Sequence, residues 1–403
     1  YSSAASDVYK RQPNKENNVF QLVVQYGAGE REFPKLGYAA QLMNNAGIMG
    51  AYEPQELKEE LSKLNATCHV TADDDNLYII MEGYEATLPQ ACQLLSRQIL
   101  MPKLDEKQLA RLKGSAMGMR QQRKDNVSIL NEALRQYMLY GEKSDYIKEL
   151  TDKEIYELQI SELTGDINRA SNYEAKVFFT GTLPFDQVYD ILSKNLPLVA
   201  NERPSNSPQA KDMMPVTENT VYFLPNNDAE QAQIHLYIPM QKADKKDDVL
   251  RSAFNQYFGL DFTGIVLNEI REKRSMAYTA YAFVGTQGIA GKASYLRGYI
   301  GTQNDKANDA LDVLMGLVND MPKNPERIDN IKSYLRQAML TSHPSFRNKA
   351  MELVDLGYRG YTDDPAKENL PKVDALTFDD IVKFYEENIK DKPYCISIMG
   401  NPK

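Results

Sequence analysis

"NLYIIMEGYEATLPQACQLLSRQILMP" (residues 76–102) and "SYLRGYIGTQNDKANDALDVLMGLVNDMP" (residues 294–322) decide the fold, because the second lies over the first element by element. The first opens on alternating apolar residues, the period-two mark of a strand. It passes into "LPQACQLLSRQIL", whose apolar residues recur at the 3.6-residue spacing of a helix. With Leu94 placed over Val313, both stretches end in Met-Pro before another long helical pattern. Such self-similarity is the mark of an internal duplication.

Outward from these stretches the same order of elements recurs. "VFQLVVQYG" (19–27) is β-rich and closes on a Gly-Ala-Gly turn, and "QIHLYIPM" (233–240) matches it. The helical "FPKLGYAAQLMNNAG" (33–47) is matched by "DDVLRSAFNQYFG" (247–259). Leu57, Leu61 and Leu64 lie at helical spacing, and a strand pair is expected around the turn formers Asp73, Asp74, Asp75 and Asn76. Helical patterns follow at 105–124, 129–141 and 151–163, the last with Thr151 as N-cap and Glu154 completing a capping box. "VANERPSNSPQAKDMMP" (199–215) is rich in Pro, Ser and Asn without apolar period, the composition of a linker. The expectation is therefore an α+β protein of two duplicated domains, 17–200 and 216–403, joined by a linker at 201–215. Each is expected to be a mainly antiparallel sheet covered on one face by helices.

Composition narrows the function. A chain of 403 residues is long enough for two or three domains with their own cores. Its 42% hydrophobic and 26% charged residues are those of an ordinary globular protein. A net charge of -9 repels phosphate backbones, and no basic stripe with interleaved aromatics offsets it, so nucleic acid is not an expected partner. No apolar run reaches the roughly 18 residues of a membrane span, and none has the form of a signal peptide. Neither feature fixes a compartment. Cys68, Cys92 and Cys395 are odd in number and form no C-x-x-C pair, so they read as small buried apolar residues. "YSSAASDVYKRQPNKENN" (1–18) has no initiator Met and no period; residues 1–16 are expected to be a leader outside the fold, from a longer protein or a non-native end.

Few groups of chemical interest survive scrutiny. His69, His235 and His343 are the only histidines, and no two stand at metal-ligand spacing. "GTQGIAGKAS" (285–294) misses the phosphate-loop pattern, with Thr286 where a Gly is needed and Ala293 where Ser or Thr is needed; a hairpin connection is expected. Asp73–Asp75 lack the spaced ligands of a calcium loop and read as a solvated turn. "LNEIREKRSMAY" (267–278) remains. Its cations suit a solvated helix end, where they complement the macrodipole. Arg271 and Tyr278, on either side of a helix-to-strand junction, also suit two side chains that grip a peptide in one groove, and spacing alone leaves both readings open.

The wider segment "FGLDFTGIVLNEIREKRSMAYTAYAFV" (258–284) resembles the insulinase or pitrilysin family of zinc metallopeptidases, whose later domains carry an R-E-K-R-G-L-A-Y-like run. Here Ser275 and Met276 stand where Gly and Leu are common. The resemblance extends over roughly 17–403, with "FFTGTLP" and "ISIMGNP" similar to the family's closing strands. It implies half of a clamshell, in which two halves of two domains each enclose a chamber. The family's active half carries zinc on H-x-x-E-H. Setting Gly37 on the glycine before that helix puts Ala40 at the first histidine, Met43 at the catalytic glutamate and Asn44 at the second histidine. The third ligand is a glutamate downstream, yet "RLKGSAMGMRQQRK" (111–124) has no carboxylate. The resemblance thus implies a half that binds no cofactor and is inactive alone, with zinc on a partner half. That partner is an upstream part of the same polypeptide or a separate subunit. It also implies that Arg271 and Tyr278 bind substrate, donating to a peptide carbonyl and to the scissile carbonyl. The alternative is a scaffold or assembly subunit without a role in cleavage. A bacterial periplasm or cytoplasm is the expected setting.

Overall fold

The computed structural model describes residues 9–13, 18–124, 126–196, 203–260, 263–342 and 344–402; His343 lies outside them. By its contacts the chain divides into two compact units, one drawn from 1–121, 149–209 and 344–354, the other from 122–148, 210–343 and 355–403.

The first unit holds β1 (Tyr9–Pro13), β2 (Val19–Tyr26), β3 (Gly47–Ile48), β4 (Thr67–Ala72), β5 (Leu77–Tyr84), β6 (Pro102–Lys103) and β7 (Ala175–Gly181). Its main sheet runs β1-β7-β2-β5-β4, with β3 and β6 paired apart. Only β1 and β7 are parallel; the other pairs are antiparallel. Along β2 the residues Phe20, Leu22 and Val24 join Leu77, Ile79 and Met81 of β5 in the core. The helices Leu36–Met43, Leu88–Leu100, Ile160–Ala170 and Phe185–Asn195 supply the facing apolar residues. Each fully buried aliphatic side chain there is worth roughly 1.5–3 kcal/mol.

The second unit repeats this plan with β8 (Thr220–Pro225), β9 (Gln231–Lys242), β10 (Ala277–Thr286), β11 (Ala293–Gln303) and β12 (Cys395–Gly400). Its order, from the parallel pair, is β8-β12-β9-β11-β10, which corresponds strand for strand to the first sheet. The two stretches that define the repeat fold alike: β5 and β11 each lead through one short turn of 3-10 helix into the helices Leu88–Leu100 and Ala307–Asn319, both 13 residues long. Ile234, Leu236 and Ile238 of β9 and Leu296 and Ile300 of β11 pack with Phe254, Tyr257, Leu314 and Tyr385 in a separate core.

Several details depart from the expected layout. Tyr9–Pro13, read as part of a leader, forms β1, which occupies in the first sheet the place β8 takes in the second. An edge strand pairs through its backbone and needs no apolar pattern, so composition gave no sign of it. The boundary expected at 201–215 is crossed twice. Helix Val127–Tyr140 lies in the second unit, where Met138 and Leu139 pack against Tyr237 and Cys395, and residues 344–354 lie in the first, where Arg347 pairs with Glu82 at 2.9 Å. The pattern at 151–163 is broken into Asp152–Tyr156, with the expected capping box, and a helix from Ile160. The Asp73–Asp75 turn is as expected: Asp73 Oδ1 accepts from the backbone of Asp75 and Asn76, and Arg31 spans Asp74 and Asp75. The glycine-rich run joins β10 to β11, with Gly288 and Gly291 at φ of 74° and 73°.

Helix Val127–Tyr140 also explains His235. Asn131 donates its Nδ2 to the ring Nε2 at 3.0 Å, inside a buried contact on β9. Burial first, then the charges of Arg297 and Arg135 against the opposing pull of Glu132, push the imidazole down from 6.5 to about 3. The folded chain therefore refuses a proton that the unfolded chain accepts. Stability contributed here is complete above pH of about 6.5 and is lost as pH falls from there towards about 3. Urea unfolding across that range is expected to show the fall, and His235→Gln to flatten it.

Candidate functional site

The residues that the resemblance sets on a zinc motif sit on the helix Leu36–Met43 and at its end. Ala40 and Met43 are core residues, 2% and 3% exposed. Asn44 turns its amide to the sheet: Nδ2 donates to the Val70 carbonyl at 2.8 Å, and Oδ1 accepts from the Val70 N–H at 2.7 Å. An apolar pair and an amide already committed to β4 do not fit zinc. Among the described residues no group of three or more His, Cys, Asp or Glu could hold a metal ion.

The cation-rich junction has a definite geometry. After the short helix Ile265–Leu267 the chain widens into a π-turn, Asn268–Glu272, closed by Lys273 N–H donating to the Asn268 carbonyl at 2.9 Å. Such turns recur at functional sites. The reversal into β10 is pinned by two further bonds, Ser275 N–H to the Arg271 carbonyl at 2.8 Å and Met276 N–H to the Ile270 carbonyl at 3.0 Å. Ser275 holds φ at 51°, the left-handed region that suits glycine.

Charges at this junction sort themselves. Glu269 receives Lys273 Nζ and Arg274 Nη1, each at 2.5 Å. Hydrogen bonds from Lys273 and then Arg274 hold its carboxyl below the usual range. Arg271 is left with its sequence neighbour Glu272 at 3.5 Å, and its guanidinium lies 5.1 Å from the centre of the Tyr278 ring. That is cation–π range. Tyr278 is 77% exposed because the β10–β11 register slips between Ala277 and Thr279, which makes it the extra residue of a bulge. The two residues singled out in the sequence are therefore brought together.

Around them lies a groove of about 460 Å³, lined also by Gln231, Ser275, Gln303 and Lys306. β10 is an edge strand, but part of its edge is taken. Ala282 N–H donates to the Gly259 carbonyl at 3.1 Å, and Asn255 pairs with both the N–H and the carbonyl of Val284. A peptide added as a strand can pair only on the Tyr278 side of Ala282. Sequence reasoning did not reach Gln231, Gln303 or Lys306, which come from β9, from β11 and from the turn after it. Only the sheet order makes them neighbours of Arg271.

Comparison with known proteins shows what this chain resembles. Residues 171–335, which include Arg271 and Tyr278, match the family model described as the peptidase M16 inactive domain. No curated protein sequence matches the chain. Its fold is similar to the crystal structure of a peptidase M16 inactive domain from Pseudomonas fluorescens, with TM-score 0.75 at 16% identity, over 98% of this chain and 95% of that one. It is similar also to the ferredoxin protease FusC, whose mutant was solved in complex with Arabidopsis ferredoxin, with TM-score 0.79 at 12% identity. The periplasmic protease PqqL from Escherichia coli gives TM-score 0.75 at 13% identity. This chain is covered over 100% and 99% in those two likenesses but spans only 46% and 45% of the two proteases. Residues 171–335 thus resemble the M16 inactive domain, and the fold of the whole chain is similar to M16 structures, in line with the insulinase-like resemblance read from the sequence.

Two outcomes follow from the local geometry. Asn44→Ala leaves both backbone groups of Val70 without their partner and is expected to lower unfolding stability by about 1–3 kcal/mol in urea. Ser275→Gly removes the left-handed cost of roughly 1–2 kcal/mol while adding some freedom to the unfolded chain, so calorimetry is expected to show an equal or slightly higher melting temperature. A clear loss of stability would mean that the serine side chain is itself holding the turn.

Proposed function

We propose that this chain is the substrate-holding, non-catalytic half of an insulinase-like zinc peptidase, which keeps a peptide in place against a zinc site on a partner half. The observation that carries the reading is Arg271 lying over an exposed Tyr278 in one groove, within the stretch 171–335 that matches the inactive domain. A guanidinium held only loosely by Glu272 and an exposed phenol beside it offer donors to an acceptor in the groove. Arg271 donates to a carbonyl of the peptide backbone, an interaction with a charged donor worth roughly 1.5–3 kcal/mol. Tyr278 donates to the scissile carbonyl, where a donor aimed at developing negative charge is worth about 100-fold in rate.

The rest of the proposal concerns the partner. Ala40, Met43 and Asn44 leave this half no zinc centre and no general base, so it is inert alone. The zinc-bearing half is either an upstream part of the same polypeptide or a second subunit. That this chain spans under half of FusC and of PqqL supports a second half in its own assembly. No helix among the described residues is long and apolar enough to cross a membrane, which suits a peptidase of the bacterial periplasm or cytoplasm.

Cleavage of a quenched fluorescent peptide by the zinc-bearing half, with and without this chain, tests the reading. Turnover is expected only in the mixture. Tyr278→Phe is expected to lower kcat by about 100-fold, and Arg271→Ala to lower kcat/KM by about 10-fold to 100-fold, with the halves still associating on a sizing column. Unchanged turnover in both variants would leave a scaffold role. Chelator-sensitive cleavage by this chain alone would overturn the proposal.

A further inference from the structure

The groove beside Tyr278 has a charge balance that the peptide-holding reading does not use. Its charged lining is Arg271, Lys306 and Glu272, and Glu272 is already set against Arg271 at 3.5 Å. Lys306 is half-buried and makes no hydrogen bond or ion pair among the described residues, although Asp305 beside it and Asp309 on the next turn stand close in sequence. Every other cation of this junction is engaged: Lys273 and Arg274 by Glu269, Arg271 by Glu272 and the Tyr278 ring.

The position of Lys306 sharpens the point. It lies in the turn Asn304–Lys306 that leads directly into helix Ala307–Asn319, at the positive end of the helix dipole. An anion is stabilised there and a cation is not, so local energetics oppose a lone lysine at this place. The turn is also rigidly placed. Asn304 donates its Nδ2 to the Ala229 carbonyl at 3.0 Å and accepts from Asn401 N–H through Oδ1 at 2.9 Å. An ammonium on an anchored turn, without an internal partner among the described residues, therefore shares a groove of about 460 Å³ with a guanidinium, within the size of ordinary ligand sites of ~300–1,000 Å³.

Resting on the peptide-holding reading, we infer that this groove takes a carboxylate of the bound peptide, with Lys306 as its counter-ion and Gln231 and Gln303 as flanking donors. The carboxylate is either an acidic side chain or the free C-terminus of the peptide. The site therefore selects acidic or chain-terminal segments, while Arg271 and Tyr278 hold backbone without regard to sequence. Lys306 is a specificity-determining residue in this scheme and takes no part in bond breaking.

Direct binding to the full chain tests it without a partner half. Fluorescence anisotropy compares labelled peptides of one neutral sequence: the C-terminal amide, the same amide with one Gln replaced by Glu at successive positions, and the free acid. One of the acidic series, or the free acid, is expected to bind about fivefold more tightly than the neutral amide, and the arm that does so identifies the source of the carboxylate. Lys306→Gln is expected to erase that preference and Lys306→Arg to keep it, with unchanged melting temperatures because the side chain has no internal partner. Equal binding of all the peptides, each still weakened by Arg271→Ala, would overturn the carboxylate site and leave the peptide-holding reading standing. Failure of every peptide to bind would overturn both.

Discussion

The wide turn at Asn268–Glu272 keeps Ile270 wholly inside the core of the second unit, and the exposed surface of the site follows from that burial. With Ile270 held in the core, Arg271 must leave it, and the chain has only Lys273–Met276 in which to reverse into β10. The reversal demands a left-handed residue, which Ser275 supplies at a cost a glycine would not incur. β10 then starts with buried Ala277, followed by two exposed residues, Tyr278 and Thr279, before Ala280 is buried again. That break in alternation is the bulge, and it turns Tyr278 out beneath Arg271.

Crowding of charge at 269–274 thereby acquires a physical meaning. The sequence shows two acids and three bases in a row of six, which alone is indistinguishable from a solvated helix end. In the folded unit Glu269 absorbs two of the bases, and the resulting cluster is close to neutral. Among these cations Arg271 is held most loosely by carboxylate, and its guanidinium lies in cation–π range of the Tyr278 ring. The residues that the resemblance sets on a zinc motif, in the first repeat, show the converse. Ala40 and Met43 have been absorbed into apolar packing, and Asn44 serves β4 as a backbone partner. In the first unit these side chains are committed to packing and to β4, while in the second Arg271 and Tyr278 lie at the surface.

How much of this was legible depends on which signal each feature leaves. The duplication was readable because strands and helices impose their periods on apolar residues, and the matched helices Leu88–Leu100 and Ala307–Asn319 start and end in register. β1 was not, since an edge strand pairing through its backbone leaves no apolar period in "YKRQP". The unit to which helix Val127–Tyr140 belongs was not readable either. Its amphipathic face is the same whichever sheet it covers, and only the contact of Met138 and Leu139 with Tyr237 and Cys395 assigns it. Arg271 and Tyr278 were found through a short motif, whereas Lys306 carries no motif at all.

The sequence by itself determined the periods, the repeat, the absence of metal-ligating residues at 40–44 and the presence of an arginine and a tyrosine on either side of a helix-to-strand junction. These are local properties, set by residue type and by spacing within one or two elements. Only the tertiary structure decided which groups meet. The sheet order β9-β11-β10 places Gln231 and Gln303 beside Arg271, and the turn after β11 adds Lys306 to the same groove. The bulge aims Tyr278 outward, and Glu269 selects which cations remain. Pairings between residues distant in sequence are fixed by strand register and core packing, and neither is written in any single segment of the chain.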